Sequence, residues 1–138
     1  MNQPDEPAIG GWLLVLCALL MIWQPISMGL TASRVVDALF LRGLPLAVLL
    51  ATRTLVAGVG IAAGIAILRR SSSAIVLAKT ALVASAIVDV FVYTTPYFPN
   101  NRVPGDTPLY IGSSLAYSGL WLLYLSRSRR VRRTFGDF

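Results

Sequence analysis

"LPLAVLLATRTLVAGVGIAAGIAIL", residues 44–68, runs for twenty-five residues with one charge, Arg53. At about 1.5 Å per residue a helix of that length exceeds the roughly 30 Å hydrocarbon core of a bilayer. An arginine near mid-helix costs roughly 2.5–3.5 kcal/mol on insertion scales, so a partner is expected. This stretch sets the class as a membrane protein and makes the partner of Arg53 the first question.

The rest of the chain repeats the pattern. Of 138 residues, 56% are hydrophobic and only 13% charged, about half the charged share of an ordinary soluble domain. The charges crowd into gaps between four apolar stretches, which predicts an all-α, polytopic membrane protein. The expected spans are residues 9–32, 44–68, 74–95 and 108–126, packed as an antiparallel four-helix bundle in a single domain, followed by a basic tail, 127–138. Pro25 predicts a kink in the first span, with Gln24 and Ser27 available to satisfy freed polar groups. Thr107 and Pro108 suit the N-cap and first position of the last span. "RVVDALFLRG" (34–43) reads as a short helix lying on the outer surface. "MNQPDEPAIGG" has two acids and no basic residue, so a cleaved signal peptide is not expected.

Charge distribution orients the bundle. The net charge is +6, and five arginines fall in "SRSRRVRRTF" (126–135). Arg127, Arg129, Arg130, Arg132 and Arg133, together with Arg69, Arg70 and Lys79, mark one side as cytoplasmic and place both termini there. Arg34, Arg42 and Arg102, partly balanced by Asp37 and Asp106, fall on the other side. Trp12, Trp121 and Tyr124 sit near the cytoplasmic ends of the spans, and Tyr93, Tyr97, Phe98 and Tyr110 near the outer ends, as interfacial aromatics do. Directly after a hydrophobic helix, the basic run points to anionic lipid head groups and not to nucleic acid. The tail is expected to lie along those head groups, with Val131 and Phe135 dipping into the interface.

The chemistry that the composition leaves open is narrow. There is no histidine and one cysteine, Cys17, inside the first span. That excludes an intramolecular disulfide, Cys/His zinc sites, histidine-ligated haem and His-based triads. No cofactor, metal or catalytic residue set is expected, and the chain is not read as an enzyme.

The partner for Arg53 follows from symmetry about a turn. Arg53 lies eighteen residues before Ser71 and Asp89 eighteen after it. Two antiparallel helices joined by the "RRSSS" turn bring both to similar depth. Arg53 shares a helix face with Ala57, Gly60 and Gly64, and Asp89 shares one with Ser85, Ala81 and Ala78. Such small-residue stripes allow membrane helices to pack closely. An Arg53–Asp89 pair is therefore predicted, either as a clamp that sets register or as part of an ion or proton path with Tyr93, Thr52 or Thr54 as relay groups. Gly112, Ala116 and Gly119 form a further small stripe, for the bundle or for a homo-oligomer.

The two ends add a resemblance. "IGGWL", with Gly10, Gly11, Trp12 and Leu13, and "SRRVRRTF", with Ser128, Arg130, Val131, Thr134 and Phe135, resemble a domain-of-unknown-function family of small bacterial inner-membrane proteins. That resemblance implies a four-helix bundle in a bacterial inner membrane and no established activity. Two functions follow as expectations. One is a non-enzymatic accessory, assembly or lipid-contacting subunit, with lipids, a second copy or other membrane proteins as partners. The alternative is a small oligomeric transporter or channel using Arg53 and Asp89.

Overall fold

The computed structural model describes residue 9, residues 11–94 and residues 105–136. Every regular element among them is helical: α1 (Trp12–Ala18), a π-helical turn (Leu19–Trp23), α2 (Gln24–Arg42), α3 (Leu44–Leu68), α4 (Ala74–Thr94), α5 (Thr107–Arg127) and α6 (Arg129–Phe135). Tyr97, Phe98, Arg102 and the Thr95–Pro96 boundary of the third expected span lie outside the described residues.

The first helix is longer than the sequence suggests. α1, the π turn and α2 follow one another without a break, so residues 34–42 continue the first span instead of forming a separate surface helix. The π turn sits just before Pro25, where the Gln24 N–H reaches back to the Leu19 carbonyl. A wider turn there accommodates the ring of a residue that has no N–H to give. A single residue, Gly43, then joins α2 to α3. Its φ of 69° and ψ of −141° belong to a region that L side chains rarely enter, which explains glycine at this elbow.

α3 ends in a Schellman motif, with the Ser71 N–H bonded to the Ala66 carbonyl and the Arg70 N–H to that of Ile67. Arg70 takes the left-handed conformation (φ 52°) usually given to glycine. That tight reversal makes α3 and α4 antiparallel neighbours. α5 starts with Asp106 at the cap position, one residue before the expected Thr107. The Asp106 backbone carbonyl accepts from Leu109 and Tyr110, and its side chain makes no capping bond.

Sustained packing runs α2 on α3, α3 on α4 and α4 on α5, with α1 also on α3. The main buried cluster joins Leu13, Leu16 and Leu20 of the first helix to Ala63 and Ile67, Ile75, Ala78 and Leu82, Leu125 and Val131. A smaller one joins Leu46 and Leu49 to Val92 at the far end of the bundle. α6 completes the larger cluster. Ser128 caps it by accepting a hydrogen bond from the Val131 N–H, and the chain turns back so that Val131 is fully buried. This corrects the expectation that Val131 dips into lipid: it enters the protein core.

Among the described residues three stretches are long and apolar enough to cross a membrane: Trp12–Leu30, Leu44–Leu68 and Ala74–Thr94. The chain is a multi-pass membrane protein. α5 coincides with the fourth expected span in position but is more polar, because one side of it carries Ser113, Ser114, Tyr117 and Ser118. Those four side chains line an internal cavity.

Candidate functional site

The structure brings Arg53 and Asp89 together. The Arg53 Nη2 donates to Asp89 Oδ1 at 3.2 Å, with both side chains mostly buried. The second carboxylate oxygen, Oδ2, accepts from the Ser114 hydroxyl at 2.8 Å. One carboxylate thus ties α3, α4 and α5. The Ser114 bond was not read from the sequence. Its signal was present, since a serine pair in an otherwise apolar helix has to find partners once buried.

Beside this linkage lies a cavity of about 400 Å³, walled by α2, α3, α4 and α5. Trp23, Gln24, Ser27 and Met28 form one wall, Arg53, Val56 and Ala57 a second, and Ser85, Val88, Asp89 and Tyr93 a third. Ser113, Ser114, Tyr117 and Ser118 of α5 complete it. Among the described residues α2 and α5 share no sustained packing seam. Tyr93 meets Tyr110 ring to ring at 6.0 Å, one turn from Asp89 toward the far end.

Polar atoms around the site are unevenly satisfied. The Arg53 Nε and Gln24 Oε1 are buried without hydrogen-bond partners among the described residues. The Gln24 amide lies on Gly60, where an added Cβ would collide with Oε1. Gly64 is covered in the same way by Met21, and the Cys17 thiol points to the Gly64 carbonyl at 4.0 Å. The glycine half of the Arg53 stripe therefore packs against the first helix. Arg53 itself reaches across to α4, and Ala57 faces the cavity. Ala78 and Ala81 are fully buried in the main core, while Ser85 opens to the cavity.

Two expected relay groups stand apart. Thr52 and Thr54 donate to the Val48 and Leu50 carbonyls of their own helix, each at 2.8 Å, and neither lines the cavity. Tyr93 does. The stripe Gly112, Ala116, Gly119 faces outward, with nothing among the described residues within 4 Å of a Cβ added at either glycine.

At the opposite end, the residues that carry the family resemblance meet in space. Gly11, with φ 64° and ψ −137°, precedes α1, and a Cβ there would stand 2.9 Å from the Arg130 Nη1. Trp12 packs edge-on against Trp121 at 6.4 Å. Arg132 donates to the Arg127 carbonyl at the end of α5, and Thr134 to that of Arg130. Arg69, Arg70, Arg127, Arg129 and Arg133 are exposed, and Lys79 is half-buried. These positions explain why both short motifs occur in one chain: each completes the other's packing.

The sequence model of a family described as "Protein of unknown function (DUF2569)" matches residues 6–136. The chain belongs to this family. The match covers both end motifs and everything between them, so the resemblance read from the ends extends to nearly the whole chain. No curated protein and no solved structure matches the chain. The membrane character of this DUF2569 chain rests on its apolar helices, and the site geometry carries the functional argument.

Proposed function

We propose that this DUF2569 protein is a four-span protein of a bacterial inner membrane, with both termini in the cytoplasm, that works without enzymatic activity as an accessory, assembly or lipid-contacting subunit. The observation that carries this reading is the double engagement of Asp89, by Arg53 on one oxygen and Ser114 on the other. The deepest charges of the chain are spent on holding three helices in register. α5 serves as the fourth span: twenty-one residues reach about 31 Å, and Ser114 and Ser118 face inward while Leu109, Leu115, Leu120 and Leu123 face out. The outward Gly112, Ala116, Gly119 stripe suits a second copy or another membrane helix. The exposed arginines of α6 and its flanks suit anionic head groups.

The test compares wild type with Asp89→Asn and with the swap Arg53→Asp/Asp89→Arg, reading unfolding and ion or proton flux in reconstituted vesicles. The clamp predicts that Asp89→Asn loosens the bundle and that the swap restores part of the loss. Ser114 remains a partner in the swap, because a hydroxyl both donates and accepts. No form should pass ions.

A second reading, a small oligomeric transporter or channel, is favoured by the cavity beside the pair. Specific wild-type flux that disappears in a still-folded Asp89→Asn variant selects it over the first.

A further inference from the structure

We propose that the cavity between α2 and α5 is a binding site for an uncharged polyhydroxyl compound of about monosaccharide size. The inference concerns binding alone and stands whether or not the chain moves a solute across the membrane. Its volume, about 400 Å³, lies within the roughly 300–1,000 Å³ range of small-molecule sites.

Charge decides against an ion. Arg53 and Asp89 cancel one another, and both carboxylate oxygens are already occupied. An ion entering this low-dielectric space would find no free counter-charge. An uncharged ligand leaves the pair intact.

Hydroxyl chemistry decides among uncharged ligands. Ser118 is only 4% exposed and lines the cavity, whose walls also hold the Arg53 Nε donor and the Gln24 Oε1 acceptor, both buried without partners among the described residues. Ser85 lines the opposite wall. Because Asp89 and Ser114 bond each other across antiparallel helices, Ser85 and Ser118, each four residues away, come to matching depth one turn nearer the basic end. A buried donor and a buried acceptor without partners in a membrane interior are costly unless something bonds them. A ligand hydroxyl both donates and accepts, so it fits either serine in either sense. Trp23 and Tyr117 add aromatic walls against which the C–H face of a ring polyol packs.

The same chemistry is offered by a free polyol and by the glycosyl head of a lipid entering between α2 and α5. The test uses the full chain in a zwitterionic amphipol, with no sugar-headed detergent present, and follows tryptophan fluorescence and the melting midpoint. The probes are glucose, its ring-shaped anion glucuronate, its cation glucosamine, and octyl glucoside below its micelle concentration. Saturation by glucose or octyl glucoside, with both charged analogues at least about tenfold weaker, supports the site; saturation by octyl glucoside alone assigns the ligand to a lipid head. Ser118→Val should weaken the uncharged probe by about three- to tenfold, the worth of one hydrogen bond, at an unchanged melting midpoint. Should that variant unfold, Ser85→Ala provides the same reading. Equal binding of the charged analogues overturns the proposal. So does the absence of saturation by either uncharged probe, or an affinity that a folded serine variant leaves unchanged.

Discussion

The guanidinium of Arg130 lies against the backbone of Gly11, so the residues that open the first helix and those that close the last share one contact. Gly11 meets two demands there. Its φ of 64° is costly for any L residue, and a Cβ would press on Nη1. Gly11→Ala should therefore lose about 1–3 kcal/mol of stability. Adding Arg130→Ala should relieve the steric part and leave the backbone part. Thermal unfolding of the two variants in micelles separates these terms.

Removal of Arg53 and of Ser114 should differ in severity. Arg53→Ala strands a mostly buried carboxylate without its counter-charge, and an expected loss of about 2–3 kcal/mol allows for partial exposure of the pair. Ser114→Ala removes one hydrogen bond and keeps the ion pair, for about 1 kcal/mol. Equilibrium unfolding should rank them in that order. Equal losses, or a larger loss at Ser114, contradict the geometry.

Small residues on α3 and α5 should respond in opposite ways. Gly64→Val drives a side chain into Met21 and Gly60→Val into Gln24, separating α3 from the first helix at about 1–3 kcal/mol each. Gly112→Val and Gly119→Val meet nothing among the described residues, and monomer stability should stay within about 0.5 kcal/mol. Sizing of the purified α5 variants then reports whether that stripe joins copies: a shift to a smaller species shows that it does.

Val131 gives the sharpest contrast between tail and core. A residue resting in a lipid interface tolerates lysine, whereas one filling a protein core does not. Val131→Lys should disrupt the bundle, and Val131→Ala should cost about 1–2 kcal/mol. Arg129→Ala, at an exposed position beside it, should leave unfolding unchanged.

Much of this arrangement was legible because membrane helices obey few rules. The 44–68 span matches α3 residue for residue, since Gly43 before it and the arginine pair after it leave no freedom at its ends. Asp89 was found as the partner of Arg53 because a tight turn fixes relative depth in an antiparallel pair. What periodicity could not supply was the identity of each face's neighbour. Gly60 and Gly64 share the Arg53 face, yet the side chains lying on them are Gln24 and Met21 of the first helix. Gly112 and Gly119 show the same spacing and face outward. The cavity was missed for a related reason: Ser85, Ser114 and Ser118 lie on two helices, and nothing local to either sequence says that they converge. Val131 was misplaced because the helix restart at Ser128 turns the chain back, and a basic run gives no hint of that reversal.

The position of α6 has a consequence for the order in which the protein is made. Leu13 leaves the ribosome more than a hundred residues before Val131, yet both belong to one buried cluster. The first helix therefore waits in the bilayer, with part of its inner face uncovered, until α6 has been made. A chain cut short after Ser128 would keep every apolar span and still lack the plug that closes its core. Such a product would insert normally and then present as a target for membrane quality control.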